Sequence, residues 1–446
     1  MRRLVPYILV FLAGILVGSC RGASPSSELQ AAVADLRANV PAERWRTTRY
    51  LSLYSVPENE RDTYRAVLSY TLNAVSRAGV IKTPEANGTL VRFDIDSYGI
   101  PSAAWEAIVS RDPYWHQRTT VIDPRTNAKT LVYQDSGHGG LATATELRNM
   151  TGSGGSIVRA DWWLATALQA PAYYALSATP KTEKEWLAAG GTNDKDVIDL
   201  RANKGSSIFR SGVTHKPRRI SRRQTVTGAN WITYDSAEGD PLKHPIRVPG
   251  FALKADASEA IAAKPNGLLA YALFNAKGEL VNEVPPEIAK DDRAHDGRLV
   301  APVSCIRCHD STGFKPFAND FAAMLKGGTE LHLPAEELDQ LTSFYADAER
   351  LAKLLSRDAE DYADSVSKAT GGKYTADELP KVVGRMFNDY VVEQVDQEVA
   401  KRELGVSTLA GFKASNDPIL LAIISGVRVN RADWELSFSG AALLTK

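Results

Sequence analysis

Cys305 and Cys308 are separated by two residues, Ile306 and Arg307, and are followed at once by His309. No other feature of the chain constrains it as tightly as this Cys-x-x-Cys-His run, which lies within Val303-Ser304-Cys305-Ile306-Arg307-Cys308-His309. Two cysteines one short turn apart reach the two vinyl groups on one porphyrin edge as thioethers, and the adjacent histidine then offers its imidazole to the iron. The motif predicts one covalent haem c, bound through Cys305 and Cys308, with His309 as the proximal iron ligand. Two readings compete with it. A thioredoxin-like dithiol sits beside a βαβ unit, which the surrounding pattern lacks, and a zinc site needs two further ligands at close spacing, where only His295 is near. The remaining cysteine is Cys20, so a chain of 446 residues has no disulfide framework and must rest on a buried core.

Cys20 closes a second pattern. Met1-Arg2-Arg3 is a short cationic head, and Leu4 to Val17 carries no charge, as in a secretory signal. The run is shorter than the roughly 20 apolar residues a membrane span needs, and Pro6 interrupts it. Val17-Gly18-Ser19-Cys20 resembles the bacterial lipobox, in which the cysteine is lipidated and becomes the new N-terminus. The plainer alternative is an ordinary secretory signal with an incidental cysteine. The lipoprotein reading sets residues 1–19 as signal peptide, Cys20 as the lipidation site and 20–56 as an anchor and linker region. It puts the mature chain on the periplasmic side of a membrane. Arg21, in place of an acidic residue, favours the outer membrane by resemblance to bacterial lipoproteins. Haem c is attached outside the cytoplasm, so the two motifs agree.

Fifty-three basic residues balance 53 acidic ones, which leaves no global field to attract a nucleic acid. Hydrophobic residues at 44% and charged residues at 24% exclude a disordered chain, a coiled coil or a collagen-like repeat. Periodicity predicts an α+β fold, with helices and short strands mixed over the first two-thirds and a mainly α-helical, haem-containing last third. Leu29, Ala32, Val33 and Leu36 give helical spacing behind a serine cap at Ser27, and Pro57 to Gly79 gives a second amphipathic helix. Thr89 to Asp96 alternates like a strand, and Ser156 to Gln169 reads as a buried helix. Trp231 to Asp235 and Leu268 to Phe274 are strand candidates, the second turning through Asn275-Ala276-Lys277-Gly278 as a hairpin into Leu280 to Val284. One apolar stripe runs from about 335 to 369, and Thr375-Ala376-Asp377-Glu378 is a capping box for a helix striped by Val383, Phe387, Val391, Val395 and Val399. Two shorter helices follow. The expected division is 57–300 for the α+β part and 301–446 for the haem-binding helical part.

The second iron ligand is less determined. His244 precedes Pro245 in a loop-like stretch where a rigid turn could hold an imidazole, and it is the favoured partner of His309. Met386 is the alternative, although its place in an apolar stripe also suits core packing. Met150, Met324, His116, His138, His215, His295 and His332 complete the inventory. Lys216-Pro217-Arg218-Arg219, with Arg222 and Arg223, reads as a solvated basic face, and otherwise as a contact for propionates, anionic lipid or an acidic redox partner. Gly152-Ser153-Gly154-Gly155-Ser156-Ile157 lacks the last glycine of a dinucleotide fingerprint. Arg159-Ala160-Asp161-Trp162 recurs as Arg431-Ala432-Asp433-Trp434 with unrelated flanks, which reads as coincidence.

Several stretches, in order, resemble large cytochrome-c-domain proteins exported by planctomycete-like and other Gram-negative bacteria. They are Arg159 to Trp163, Arg210-Ser211-Gly212-Val213, Pro265 to Tyr271 with Asn275 to Gly278, and the Val303 to His309 motif, spread over roughly residues 50 to 440. That resemblance implies haem and an exported location and supplies no substrate. The group also carries a His-Pro near the position of His244. Where it often has a histidine after the tyrosine that follows the tryptophan-rich helix, this chain reads Tyr173-Tyr174-Ala175. The function expected is that of an exported monohaem lipoprotein that transfers single electrons to and from an unidentified redox partner. The alternatives are a periplasmic haem enzyme, such as a peroxidase or small-molecule oxidoreductase, and a haem-based gas sensor.

Overall fold

The computed structural model describes residues 24–115, 117–122, 129–134, 141–191, 203–208, 218–235, 255–284, 290–309, 313–314, 317, 334–344 and 348–445. The signal stretch, Cys20, Met324 and His116, His138, His215, His244 and His332 lie outside these residues. The architecture is mixed α+β, with the sheets in the first two-thirds and helices at the C-terminal end. Among the described residues no helix is long and apolar enough to cross a membrane.

Proline presets the backbone angle of a first helical residue, and the side chains of Ser24 and Ser27 each accept the other's backbone N–H. The helix Pro25–Asn39 therefore starts ahead of the expected cap at Ser27. Leu29, Ala32, Val33 and Leu36 are its buried face, as their spacing predicts. Two acids of this helix are also buried, and each is satisfied. Glu28 accepts from the hydroxyls of Ser52 and Thr89; Asp35 accepts from Tyr50 at 2.8 Å and from Arg92 at 2.7 Å. These bonds fasten the helix to the strands Thr48–Ser52 and Leu90–Asp94. Within the stretch expected as anchor and linker, 20–56, the helix Pro25–Asn39 and the strand Thr48–Ser52 pack into the core, whereas Ala42–Thr47 contributes no buried residue.

Those two strands sit in a four-stranded sheet ordered Glu85–Asn87, Leu90–Asp94, Thr48–Ser52, Ile157–Arg159. Its last pair is parallel, with Tyr50 opposite Ile157. The helix expected from Ser156 to Gln169 is thus a short strand followed by the helix Ala160–Ala167. A second sheet is an antiparallel meander of Asn203–Ile208, Arg218–Thr225, Gly228–Asp235, Ala257–Ala263 and Leu269–Asn275. At its last turn Asn275 Oδ1 accepts from the N–H groups of Lys277 at 2.9 Å and Glu279 at 3.0 Å, and Gly278 takes a left-handed φ of 73°. The returning arm makes a single bridge, Leu280 to Phe274, and Glu283–Val284 then pairs with Leu299–Val300 just ahead of the cysteine motif. Gln117–Ile122 and Lys129–Gln134 form a separate hairpin.

The arginine run at 218–223 is not the solvated face its composition suggests. Arg218, Arg219, Arg222 and Arg223 are all buried in the second strand of the meander. Arg218 meets Asp235 across the sheet at 2.6 Å through two nitrogens, and Glu259 lies 3.1 Å away. Arg222 forks onto Asp358 at 2.8 and 2.9 Å, and the indole N–H of Trp231 donates to the same carboxylate at 2.8 Å. The reason is long-range pairing: bidentate carboxylate partners compensate the loss of water that burial imposes.

The C-terminal helices include Ala335–Phe344, Ala348–Ala369, Leu379–Val392, Gln397–Leu404, Pro418–Ile424 and Arg431–Leu444. The stripe expected to run through Val399 as one helix is divided between Leu379–Val392 and Gln397–Leu404, and two further helices, Pro418–Ile424 and Arg431–Leu444, follow it. A single buried cluster runs from Leu29 through Trp105, Trp163, Tyr271 and Ile306 to Phe438, so the core is continuous across the boundary expected near residue 300. Arg159 and Arg431, the first residues of the repeated tetrapeptide, both donate to Glu403 Oε1, at 2.9 and 2.7 Å, and Trp434 donates to its other oxygen at 2.7 Å. The repeat thus converges on one carboxylate, although its two aspartates are used differently: Asp161 pairs with Arg159, and Asp433 lies at the cap made by Asn430.

Candidate functional site

The strand Leu299–Val300 leads through Ala301 and Pro302 into the helix Val303–Cys308. Backbone bonds pin this entry to a distant corner of the chain. Val303 N–H donates to Leu168 O at 3.2 Å, and Ala170 N–H donates to Ala301 O at 2.7 Å. Ser304 Oγ accepts from Val300 N–H at 3.0 Å. Val303, Ser304, Ile306 and Arg307 are buried, whereas Cys305 and Cys308 are half-buried. Residues three apart share a helix face, so the two sulfurs lie on one side of this short helix. His309 is its C-cap, with φ −90° and ψ 47°, and its N–H donates to Cys305 O at 2.8 Å. The structure therefore brings Cys305, Cys308 and His309 together at the end of one helix.

What aims that face outward is the pair of residues between the cysteines. Ile306 enters the main core. Arg307 points the other way from solvent too: it donates to Asp291 at 2.6 Å and Asn388 at 2.9 Å, and its guanidinium lies 5.5 Å from the Phe387 ring centre. Asp291 is itself fully buried. Gly384 eases this approach, because a Cβ there would lie 3.0 Å from Arg307 Cγ and 3.2 Å from Cδ, a tight contact to which the arginine stem would have to yield. Arg293 donates to the Arg307 carbonyl and closes the opposite side.

Tyr173, Tyr174 and Tyr271 lie near Cys305, and further aromatic side chains join them in the core. The Tyr173 hydroxyl accepts from Tyr271 N–H at 3.1 Å; that of Tyr174 accepts from Leu273 N–H at 3.2 Å and donates to Val281 O at 3.1 Å. The two phenols thereby satisfy N–H groups on the outer strand of the meander, which a sheet edge otherwise leaves open. Tyr362 lies close to Tyr70 and Tyr271, and its ring fills the space beside Gly313, where a Cβ would come within 2.5 Å of it. Phe314 stacks on Trp231 at 6.1 Å between ring centres. Residues 70, 173, 174, 231, 271 and 362 are scattered along the chain, and no local pattern in the sequence announces that they meet.

The donor set also bears on the competing chemistries. Cys305 and Cys308 are not joined as a disulfide. Burial, then the nearby Glu259 and Cys308, push the Cys305 thiol well above its ordinary value. A dithiol oxidoreductase needs the reverse, a thiol lowered toward thiolate. Zinc needs four ligands, and among the described residues no group of three or more His, Cys, Asp or Glu side chains is gathered for a metal. His295 is exposed. Two half-buried thiols followed by a histidine are a set that fits thioether attachment of a porphyrin and coordination of its iron.

Of the candidates for a second iron ligand, Met386 alone can be placed among the favoured two. Gly384, Phe387 and Asn388 are the residues of the helix Leu379–Val392 that meet Arg307. Met386, two residues from Gly384, is turned about 200° around that helix, and it is buried in the core. Its side chain is used in packing. Met150 is half-buried against the same core. No family model, curated protein or solved structure matches the chain.

Proposed function

We propose that the chain is an exported, lipid-anchored monohaem c-type cytochrome that carries single electrons. The observation that supports it most is the geometry of one short helix: Ile306 and Arg307 are locked into the interior, and Cys305, Cys308 and His309 keep a common, partly open side. Cys305 and Cys308 would hold the porphyrin edge and His309 would bind the iron, with His244 of the His244-Pro245 turn as the second ligand. The bound group supplies a ferric/ferrous couple. The chain's own part is to fix His309 at the helix cap, to exclude water with Ile306, Tyr173, Tyr174 and Tyr271, and to keep the Cys305 thiol protonated until attachment. Lipidation of Cys20 would keep the protein at the periplasmic face of a membrane.

Spectra of the protein matured in a host that attaches haem c test this reading. A carrier has both axial positions filled, so the reduced protein should be low-spin and take up carbon monoxide slowly or not at all. His244→Ala should become high-spin and bind carbon monoxide readily. Immediate uptake by the unaltered protein, with turnover of peroxide on an added donor, would replace the carrier with a haem enzyme.

A further inference from the structure

Seven large apolar side chains are exposed among the described residues, and five of them lie in the C-terminal helices and their connections: Val392, Leu421, Val427, Leu436 and Leu443. Leu436 is 67% exposed and Leu443 51%. They are seven residues apart on the helix Arg431–Leu444, which puts them on one stripe. Gly440 lies between them on that stripe, and a Cβ there would meet nothing within 4 Å. The opposite side of the same helix is core, with Trp434, Phe438 and Ala441 fully buried. The stripe is therefore an open apolar surface on an otherwise well-anchored helix, and Lys413 and Arg428 are exposed on neighbouring segments.

The described chain begins in the same region. Ser24 packs on Gly405, where a Cβ would come within 2.8 Å of Ser24 Cβ and 2.9 Å of its Cα. Gly405 caps the helix Gln397–Leu404, and Glu403 of that helix holds Arg431 and Trp434 at the start of the striped helix. The end of that helix returns to the same group of segments, since a Cβ on Gly411 would run into the Leu444 carbonyl. Cys20 precedes Ser24 by four residues, a stretch that can span at most about 14 Å. An acyl chain on Cys20 would bring the Ser24–Gly405 corner within that distance of a bilayer.

We infer that the C-terminal helical face bearing Leu436 and Leu443 is a membrane-docking surface, occupied by the headgroup and upper acyl region of the bilayer that holds the Cys20 lipid. This inference rests on the lipoprotein reading. Side chains of this type enter the interface with their apolar stems while nearby lysine and arginine meet lipid phosphates. Docking by a rigid face would fix the orientation of the domain, where a lipid tether alone would leave it free to tumble.

The test uses the full-length, haem-loaded lipoprotein in phosphatidylethanolamine/phosphatidylglycerol vesicles. Its native cysteines are committed to lipid or haem, so Leu436→Cys or Leu443→Cys takes an environment-sensitive fluorophore at one place. Val80→Cys and Val226→Cys are the controls, being exposed apolar sites elsewhere. Brominated acyl chains should quench the labels at 436 and 443 at least threefold more than those at 80 and 226, a ratio set here as roughly the contrast expected for burial 5–10 Å into the interface. Flotation with the vesicles but equal quenching at all four sites would overturn the docking surface and leave the anchor intact. Failure of the unaltered protein to float would overturn the anchor reading and the docking surface together. Leu436→Ser with Leu443→Ser, labelled at neither position, should keep the haem spectrum while lowering salt-resistant retention on the vesicles once the lipid-bearing N-terminus is cut away by protease; unchanged retention would also contradict the inference.

Discussion

Arg307, one of the two residues that separate the motif cysteines, forms an enclosed ion pair with Asp291, 2.6 Å apart. The pair fixes which way the helix Val303–Cys308 faces, because Arg307 cannot leave the interior without abandoning Asp291. Arg307→Ala should lower stability by about 3–5 kcal/mol, the usual cost of leaving a buried charge without its partner. Arg307→Met combined with Asp291→Leu should recover most of that loss, since a well-packed apolar pair removes both desolvated charges. Urea unfolding of the three proteins checks this; a double variant as unstable as Arg307→Ala would show that the polar network itself is required.

Glu403 is the meeting point of Arg159, Arg431 and Trp434. Burial pushes its carboxyl up, but the two guanidinium groups outweigh burial and hold it well below the usual range. Stability drawn from a carboxyl lowered in this way is present above the unfolded pKa and is lost only as pH falls toward the folded value. Glu403→Gln should cost about 3–5 kcal/mol at pH 7, because two buried arginines lose their shared anion. Thermal unfolding at neutral pH measures it, and a loss below about 1 kcal/mol, the size of a surface pair, would contradict the assignment.

Asp112 behaves in the opposite sense. Burial raises its carboxyl to about 8, and only Oδ1 has a partner, accepting from Tyr114 N–H at 2.8 Å. The folded chain then binds a proton there that the unfolded chain releases near pH 4. Its contribution is present at acid pH and is lost as pH rises toward 8. Asp112→Asn keeps the Oδ1 acceptor and abolishes the titration. The variant should gain at least about 1.4 kcal/mol over the parent on going from pH 5 to pH 9, the value of one pKa unit. Parallel stability profiles would disprove it.

Met386→Leu should leave the visible spectrum of the haem-loaded protein unchanged, since the side chain lies in the core on a different side of its helix from the residues that meet Arg307. A volume-conserving swap costs under about 1.5 kcal/mol. Loss of a methionine-ligand absorption band in this variant would restore Met386 as an axial ligand.

Local signals were legible where they were sufficient. The helix Arg61–Val75, the capped start of the helix Leu379–Val392 and the turn at Asn275 to Gly278 follow from periodicity, capping and turn chemistry, whereas the break after Val392 does not. The burial of Arg218 and Arg222 was not legible, because the charges that neutralise them come from Asp235, Glu259 and Asp358. Nor was the use of Tyr173 and Tyr174, whose hydroxyls serve backbone groups about a hundred residues away. The motif itself names the three donors at 305, 308 and 309, while the residues that orient them, Asp291, Gly384 and Asn388, carry no signature outside the folded chain.

The central claim is thioether attachment at Cys305 and Cys308, and intact-mass measurement after denaturation tests it most directly. The full chain expressed with a c-type maturation system should carry the added mass of one haem, located by peptide mapping to the segment that contains both cysteines. Cys305→Ala with Cys308→Ala should return the mass to that of the bare polypeptide. An unaltered chain that matures in such a host yet shows the bare mass, or a double variant that keeps the haem through denaturation, would contradict the account.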